Sequence, residues 1–104
     1  MTHQELQKET FWANKAIVEA GLVLLTWGNA SVRHPKEAVM AIKPSGVSYD
    51  ELRPESMVLV SIESGEVLSG TLRPSSDTAT HLEIYRAFPE AGAVVHTHSA
   101  RAVA

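Results

Sequence analysis

Gly, Ser and Pro cut the middle of this chain into apolar runs too short for helices. Gly28-Asn29 precedes Ala30-Ser31-Val32-Arg33, and Pro44-Ser45-Gly46 closes Val39 to Lys43. Glu63-Ser64-Gly65 separates Met57 to Ile62 from Glu66 to Ser69. Runs of this kind, bounded by turn residues, read as strands, and the last two as a β-hairpin. Ala93 to Thr97 is a further strand, and its apolar start marks it as the end of a buried one. Helical spacing lies on either side of this block. Thr2 and Glu5 stand at capping-box distance, and Leu6, Phe11, Ala13, Ala16, Ile17 and Ala20 recur at roughly helical intervals up to Gly21. That predicts an amphipathic helix over residues 3–20. Ser48 and Glu51 predict a short helix over 48–53, and Ser76 opens one that runs to about Ala87, before Pro89. Val23 to Thr26 fits a short strand or an irregular apolar segment equally well. A mixed α/β chain follows.

Composition narrows the class of function. With 104 residues the chain is one domain or part of one. The absence of cysteine excludes a disulfide framework, a thiolate metal site and a cysteine nucleophile. A formal charge of −3 leaves no basic footprint for nucleic acid. The longest apolar stretch, Gly21 to Leu25, is far below the roughly 20 residues that a bilayer requires, so no membrane partner is expected. The first residues lack the basic start and apolar run of a signal peptide, so the expected location is the cytoplasm. Ser99 can cap another helix, yet the sequence reaches Ala104 one turn later. The expectation is a truncated chain, residues 1–104 being the N-terminal part of a longer domain.

The sharpest chemical feature is Val94-Val95-His96-Thr97-His98. Side chains at i and i+2 share one face of a strand, so His96 and His98 can address one ion. A pair of histidines facing solvent at a polar strand end is the alternative, and two histidines do not complete a zinc site. Asp77 is a third candidate ligand, although a carboxylate at a helix start can equally be a cap. Gly28-Asn29, Ser45-Gly46 and Ser75-Ser76 are small-residue segments whose amides and hydroxyls could receive an anion, though each alone is an ordinary turn. Lys43 adds a compact positive charge beside one of them. His81, one turn beyond Asp77, is expected on the exposed face of its helix, and His3 and His34 read as surface residues. Trp12 and Trp27 read as core or interface aromatics.

Four motifs then stand in a familiar order: Thr26-Trp27-Gly28-Asn29-Ala30-Ser31, Ile42-Lys43-Pro44-Ser45-Gly46-Val47, Pro74-Ser75-Ser76-Asp77-Thr78 and His96-Thr97-His98-Ser99. In these the chain resembles the class II aldolase/epimerase family, and within it the branch that epimerises L-ribulose 5-phosphate at C4. The resemblance implies an α/β fold with a central, mostly antiparallel sheet flanked by helices, assembled as a homotetramer. It implies a Zn2+ or other divalent metal on His96 and His98, completed by a histidine beyond residue 104. Asp77 matches the position where the epimerases carry Asp and the fuculose-phosphate type of aldolase carries Glu. Gly28, Asn29, Ser45, Gly46, Ser75 and Ser76 match the cradle for the phosphate of a phosphorylated pentulose. The family's acid/base Asp and Tyr lie further along and have no counterpart here. The implied reaction converts L-ribulose 5-phosphate to D-xylulose 5-phosphate by retro-aldol and aldol steps. A class II aldolase acting on L-fuculose phosphate is the nearest alternative, and a metal-free adducin-like interaction domain the next.

Overall fold

The computed structural model describes residues 1–21 and 28–97. Helix α1 covers His3–Glu19 and is followed by strands β1 (Asn29–Arg33) and β2 (Val39–Ile42). After two single 3-10 turns come β3 (Val58–Ser61) and β4 (Val67–Ser69), then helix α2 (Thr78–Ala87) and strand β5 (Ala93–His96). The five strands form one sheet in the order β4-β3-β2-β1-β5, antiparallel at every pairing.

Strand alternation sorts the side chains into two cores. Val39, Ala41 and Leu59 face α1 and pack with Leu6, Tyr49, Leu52 and Met57. Met40, Ile42, Val58 and Val60 face the other way and pack with Leu82 and Tyr85 of α2. All four residues of β2 are therefore buried, as expected of a strand covered on both faces. The hairpin between β3 and β4 forms around Ser64-Gly65, with the Gly65 amide donating to the Ser61 carbonyl at 2.8 Å.

The expected start of α1 is present. Thr2 Oγ1 accepts from the Glu5 amide at 3.0 Å and Glu5 Oε1 accepts from the Thr2 amide at 2.8 Å. The buried stripe differs from the apolar one. It runs Leu6, Thr10, Asn14 and Ile17, while Ala16 and Ala20 are exposed. Thr10 and Asn14 are accommodated because each finds a partner at once, Thr10 Oγ1 donating to Leu6 O at 2.8 Å and Asn14 Nδ2 to Thr10 O at 2.8 Å. Trp12 is not a core residue, being 61% exposed and packed edge-on against Phe11.

Other expectations shift with tertiary context. The helix over 48–53 contracts to a 3-10 turn at Tyr49–Glu51, and Ser48 makes no side-chain cap. Helix α2 starts at Thr78 rather than Ser76. Strand β5 is not buried: it borders the described sheet, and Val95, paired with Ala30 on the α1 side of the sheet, is 53% exposed. His34 lies inside rather than on the surface. Its Nδ1 accepts from the amides of Lys36 and Glu37 at 3.1 and 3.0 Å, so Nε2 carries the proton and donates to Met1 O at 2.7 Å. The segment Val23 to Thr26, Trp27 and the helix expected after Ser99 lie outside the described residues.

Asn14 ties α1 to the sheet. At Ala30 the pairing of β1 with β2 has run out, since Ser31 opposite Ile42 is its last rung. The Asn14 amide replaces the missing strand: Nδ2 donates to Ala30 O at 3.0 Å and Oδ1 accepts from Ala30 N at 2.9 Å. Removing it leaves two buried backbone groups unpaired, at about 1–3 kcal/mol each. Asn14→Ala is expected to lower the unfolding free energy by about 2–5 kcal/mol in urea titration, well above an exposed Glu9→Ala control.

Candidate active site

Strand β1 runs antiparallel to both of its neighbours, so its beginning lies beside the ends of β2 and β5. Three candidate segments converge there. Asn29 is the cross-strand partner of His96. Lys43 to Gly46 leaves the end of β2, and Ser75 to Asp77 leads into α2. The last two are joined, because Ser75 N donates to Lys43 O at 2.9 Å and Ser45 N to Arg73 O at 2.8 Å, bridging Pro44 and Pro74.

Asp77 stands at the N-cap position of α2 without capping it. Ser75 occupies that role instead: its Oγ accepts from Asp77 N at 3.2 Å, and its carbonyl accepts from Thr78 N at 3.1 Å and Thr78 Oγ1 at 2.6 Å. The freed carboxylate turns to the sheet. Its Oδ2 accepts from Asn29 Nδ2 at 2.7 Å and lies 3.9 Å from His96 Nε2. That second distance is too long for a hydrogen bond. Two ligands each about 2 Å from a tetrahedral cation stand about 3.3 Å apart, so a small approach of the two side chains would let them share one ion. Both side chains are about one-third exposed, at 34% and 39%, so an ion from solvent can reach them. Carboxylate oxygen and imidazole nitrogen are donors that suit a divalent metal. Among the described residues no third His, Asp or Glu joins them into a metal-holding group. His98 lies outside the described residues.

The anion-receiving segments differ in exposure. Ser45, Gly46 and Ser76 are exposed, whereas Gly28, Asn29, Lys43 and Ser75 are buried. Gly46 has φ +73°, and a Cβ built there meets nothing within 4 Å, so glycine is required by the backbone and not by crowding. Gly28, at φ 101°, is likewise confined to a conformation open to glycine, and its carbonyl accepts from the Tyr49 hydroxyl. Burial pushes that phenol up to about 12, which keeps it a donor. Lys43 is not the exposed point charge that its neighbours suggest. It is 3% exposed, donates to Pro44 O at 3.2 Å and sits 5.0 Å over the Tyr49 ring. Burial lowers its pKa below the ordinary lysine value, and no carboxylate of the described residues pairs with it. A desolvated ammonium with unused donors is stabilised by an arriving anion.

A profile of the class II aldolase and adducin N-terminal domain matches residues 8–104. The chain belongs to that family. Solved structures agree with the assignment. An L-fuculose 1-phosphate aldolase is 33% identical and superposes with a TM-score of 0.85 over 94% of this chain and 46% of its own. The L-fuculose-1-phosphate aldolase of Thermus thermophilus is 32% identical, with a TM-score of 0.72 over 94% of this chain and 48% of its own. YgbL of Escherichia coli, whose description leaves aldolase, epimerase and decarboxylase open, is 32% identical, with a TM-score of 0.80 over 93% and 45%. The chain spans about half the length of these proteins.

One member of the site is missing from the sequence expectations. His81 is fully buried, not on an exposed helix face. Asp77, His81 and Tyr85 follow one another at i, i+4 and i+8, and this stripe meets the alternate residues Asn29, Ser31 and Arg33 of β1. Ser31 Oγ lies 2.7 Å from His81 Nδ1 and 2.8 Å from Tyr85 Oη, and Arg33 donates to the Tyr85 carbonyl at 3.0 Å. The i, i+4, i+8 spacing of polar residues is the signal that the sequence offers. It carries little weight alone, because polar stripes usually face water.

Burial pushes the His81 pKa down to about 4, against the pull of the Asp77 carboxylate and with a small further push from His96. Between the ordinary histidine value of 6.5 and about 4 the unfolded chain takes up a proton that the folded chain refuses. This contribution to stability is therefore present at neutral pH and is lost progressively as pH falls through that window. Urea unfolding at about pH 7 and about pH 4.5 is expected to show the loss, and His81→Asn to flatten it.

Proposed function

We propose that the full-length protein performs metal-assisted retro-aldol chemistry on a phosphorylated ketose, as a C4 epimerase interconverting L-ribulose 5-phosphate and D-xylulose 5-phosphate. The observation that carries the reading is the approach of Asp77 and His96 beside the loops at Gly28-Asn29, Ser45-Gly46 and Ser75-Ser76. Family membership supports the reaction class, and the presence of both side chains weighs against a metal-free interaction domain.

Asp77 and His96 would hold the cation, with His98 of the His96-Thr97-His98 motif as a further ligand. A divalent ion bound there supplies Lewis acidity that stabilises the charge released when a carbon–carbon bond beside a ketone breaks. The other tasks fall to the chain's own groups. A C4 proton of the sugar is not acidic, so inversion at C4 is achieved by opening and re-forming the C3–C4 bond. That requires the phosphate-bearing fragment to stay bound while its aldehyde turns over. The loop amides, the Ser75 hydroxyl, the Lys43 ammonium and the start of α2 are suited to holding that phosphate. Asn29 holds the Asp77 carboxylate against β1, where it faces His96 and does not swing into solvent.

Asp77 supports the epimerase over the aldolase, in line with the residue that the family resemblance associates with each. The aldolase reading, with release of the aldehyde, has its own support in L-fuculose 1-phosphate aldolases among the structural matches. Product analysis separates the two. With L-ribulose 5-phosphate the expected product is D-xylulose 5-phosphate without free dihydroxyacetone. Dihydroxyacetone phosphate released from L-fuculose 1-phosphate at a comparable rate would establish the aldolase.

Site variants divide along the same lines. His96→Ala is expected to remove most of the bound zinc and most of the activity, read by elemental analysis and assay. Lys43→Met and Ser75→Ala should raise KM for the phosphorylated sugar about tenfold, the scale of one hydrogen bond to a charged group, with metal content unchanged. Full zinc occupancy in His96→Ala would overturn the ligand assignment.

A further inference from the structure

Of the polar rungs that join α2 to β1, only the first touches the residues assigned above. Asp77 meets Asn29, and one helical turn later His81 meets Ser31, which in turn meets Tyr85. The second rung is sealed, since His81, Ser31 and Tyr85 all have zero exposure. Its proton order follows from counting donors and acceptors. The neutral trio has three hydrogens for two links. If Tyr85 donates to Ser31 and Ser31 donates to His81 Nδ1, the one group left over is the Nε2–H. If His81 donates from Nδ1 and Ser31 donates to Tyr85, the Tyr85 hydrogen and the Nε2 lone pair are both left over. If His81 and Tyr85 both donate to Ser31, the Ser31 hydrogen and the Nε2 lone pair are left over. Buried polar groups are seldom left unpaired, so the first order is favoured. All three orders leave Nε2 over, and His81 Nε2 indeed has no hydrogen-bond partner among the described residues; the number of other groups left over decides between them.

The rung also bears on the site mechanically. The His81 amide donates to the Asp77 carbonyl at 3.1 Å, closing the first turn of α2. Ser31 is two residues along β1 from Asn29, on the same face. Fixing His81 against Ser31 therefore fixes the turn that carries Asp77 against the strand position that pairs with His96.

We propose that His81 is a positioning residue, held as its Nε2–H tautomer by a hydrogen bond from Ser31, that sets the Asp77 carboxylate at its distance from His96. The proposal rests on the reading of Asp77 and His96 as cation ligands. It assigns the function to one side of the ring: Nδ1 carries it and Nε2 does not.

Amide side chains test this directly, because Asn offers an oxygen where histidine has Nδ1, and Gln offers its polar group where histidine has Nε2. In the full-length protein, zinc affinity is measured by competition with a chromogenic chelator for wild type, His81→Asn, His81→Gln, Ser31→Ala and Asp77→Ala. His81→Gln and Ser31→Ala are expected to lose about tenfold or more, the scale for groups that orient metal ligands, while His81→Asn stays within about threefold of wild type. A merely space-filling role predicts the reverse order, since Gln fills the cavity better than Asn, and that order would overturn the proposal. Nitrogen-15 NMR of the imidazoles provides a readout independent of metal: His81 is expected to show a protonated Nε2 and an unprotonated Nδ1, and the opposite tautomer overturns the proposal. If the tautomer is as stated and Asp77→Ala binds zinc like wild type, the ligand reading fails, and the positioning role fails with it.

Discussion

The first residues of β1 are held from both faces of the sheet, and the rest of the arrangement depends on that double grip. From α1, Asn14 lends its side-chain amide to the backbone of Ala30 at the point where β2 no longer can. From α2, Asp77 takes the side chain of Asn29. A strand end is ordinarily a frayed place, with unpaired backbone groups turned to water. Here two buried amides make it a fixed point, and the candidate ligands and anion donors are gathered around it.

The chemistry of the site follows from where charge is placed relative to water. Lys43 is taken out of solvent over an aromatic ring without a carboxylate of the described residues to pair with, which leaves its attraction for an incoming anion poorly screened. Asp77 and His96 remain partly open, so a cation can enter between them. Positive donors and negative or neutral ligands thus sit on adjoining loops, a division suited to a substrate with a phosphate at one end and a metal-binding oxygen pattern elsewhere. The polar stripe of α2 keeps the two halves in register, because its residues grip alternate positions of β1 and cannot slide by one without exchanging sheet faces.

Much of this is legible before folding is considered. The capping box at Thr2 and Glu5, the hairpin around Ser64-Gly65 and the positions of the central strands rest on local rules, and local rules survive into the folded chain. The residues that depart from expectation are those whose surroundings come from afar. Thr10 and Asn14 are polar and fall outside the apolar stripe of α1, yet each has partners that cancel the cost of burial. His34 and His81 read as surface groups for the same reason. Asp77 looks like a helix cap because its own segment offers no better partner; the better partner, Asn29, is far away in sequence.

The sequence by itself determined the alternation of helices and strands, the lack of thiols among these 104 residues, and the residue types from which a metal and phosphate site could be made. Periodicity, turn residues and composition act over a few positions, so a single chain displays them openly. The tertiary structure decided which of those residues meet. Only the antiparallel order around β1 brings Asn29 opposite His96, and only the packing of α2 on that face lowers Asp77 and His81 onto it. Such meetings depend on contacts between distant segments, and the energy that settles them, burial of apolar faces on both sides of one sheet, belongs to no segment alone.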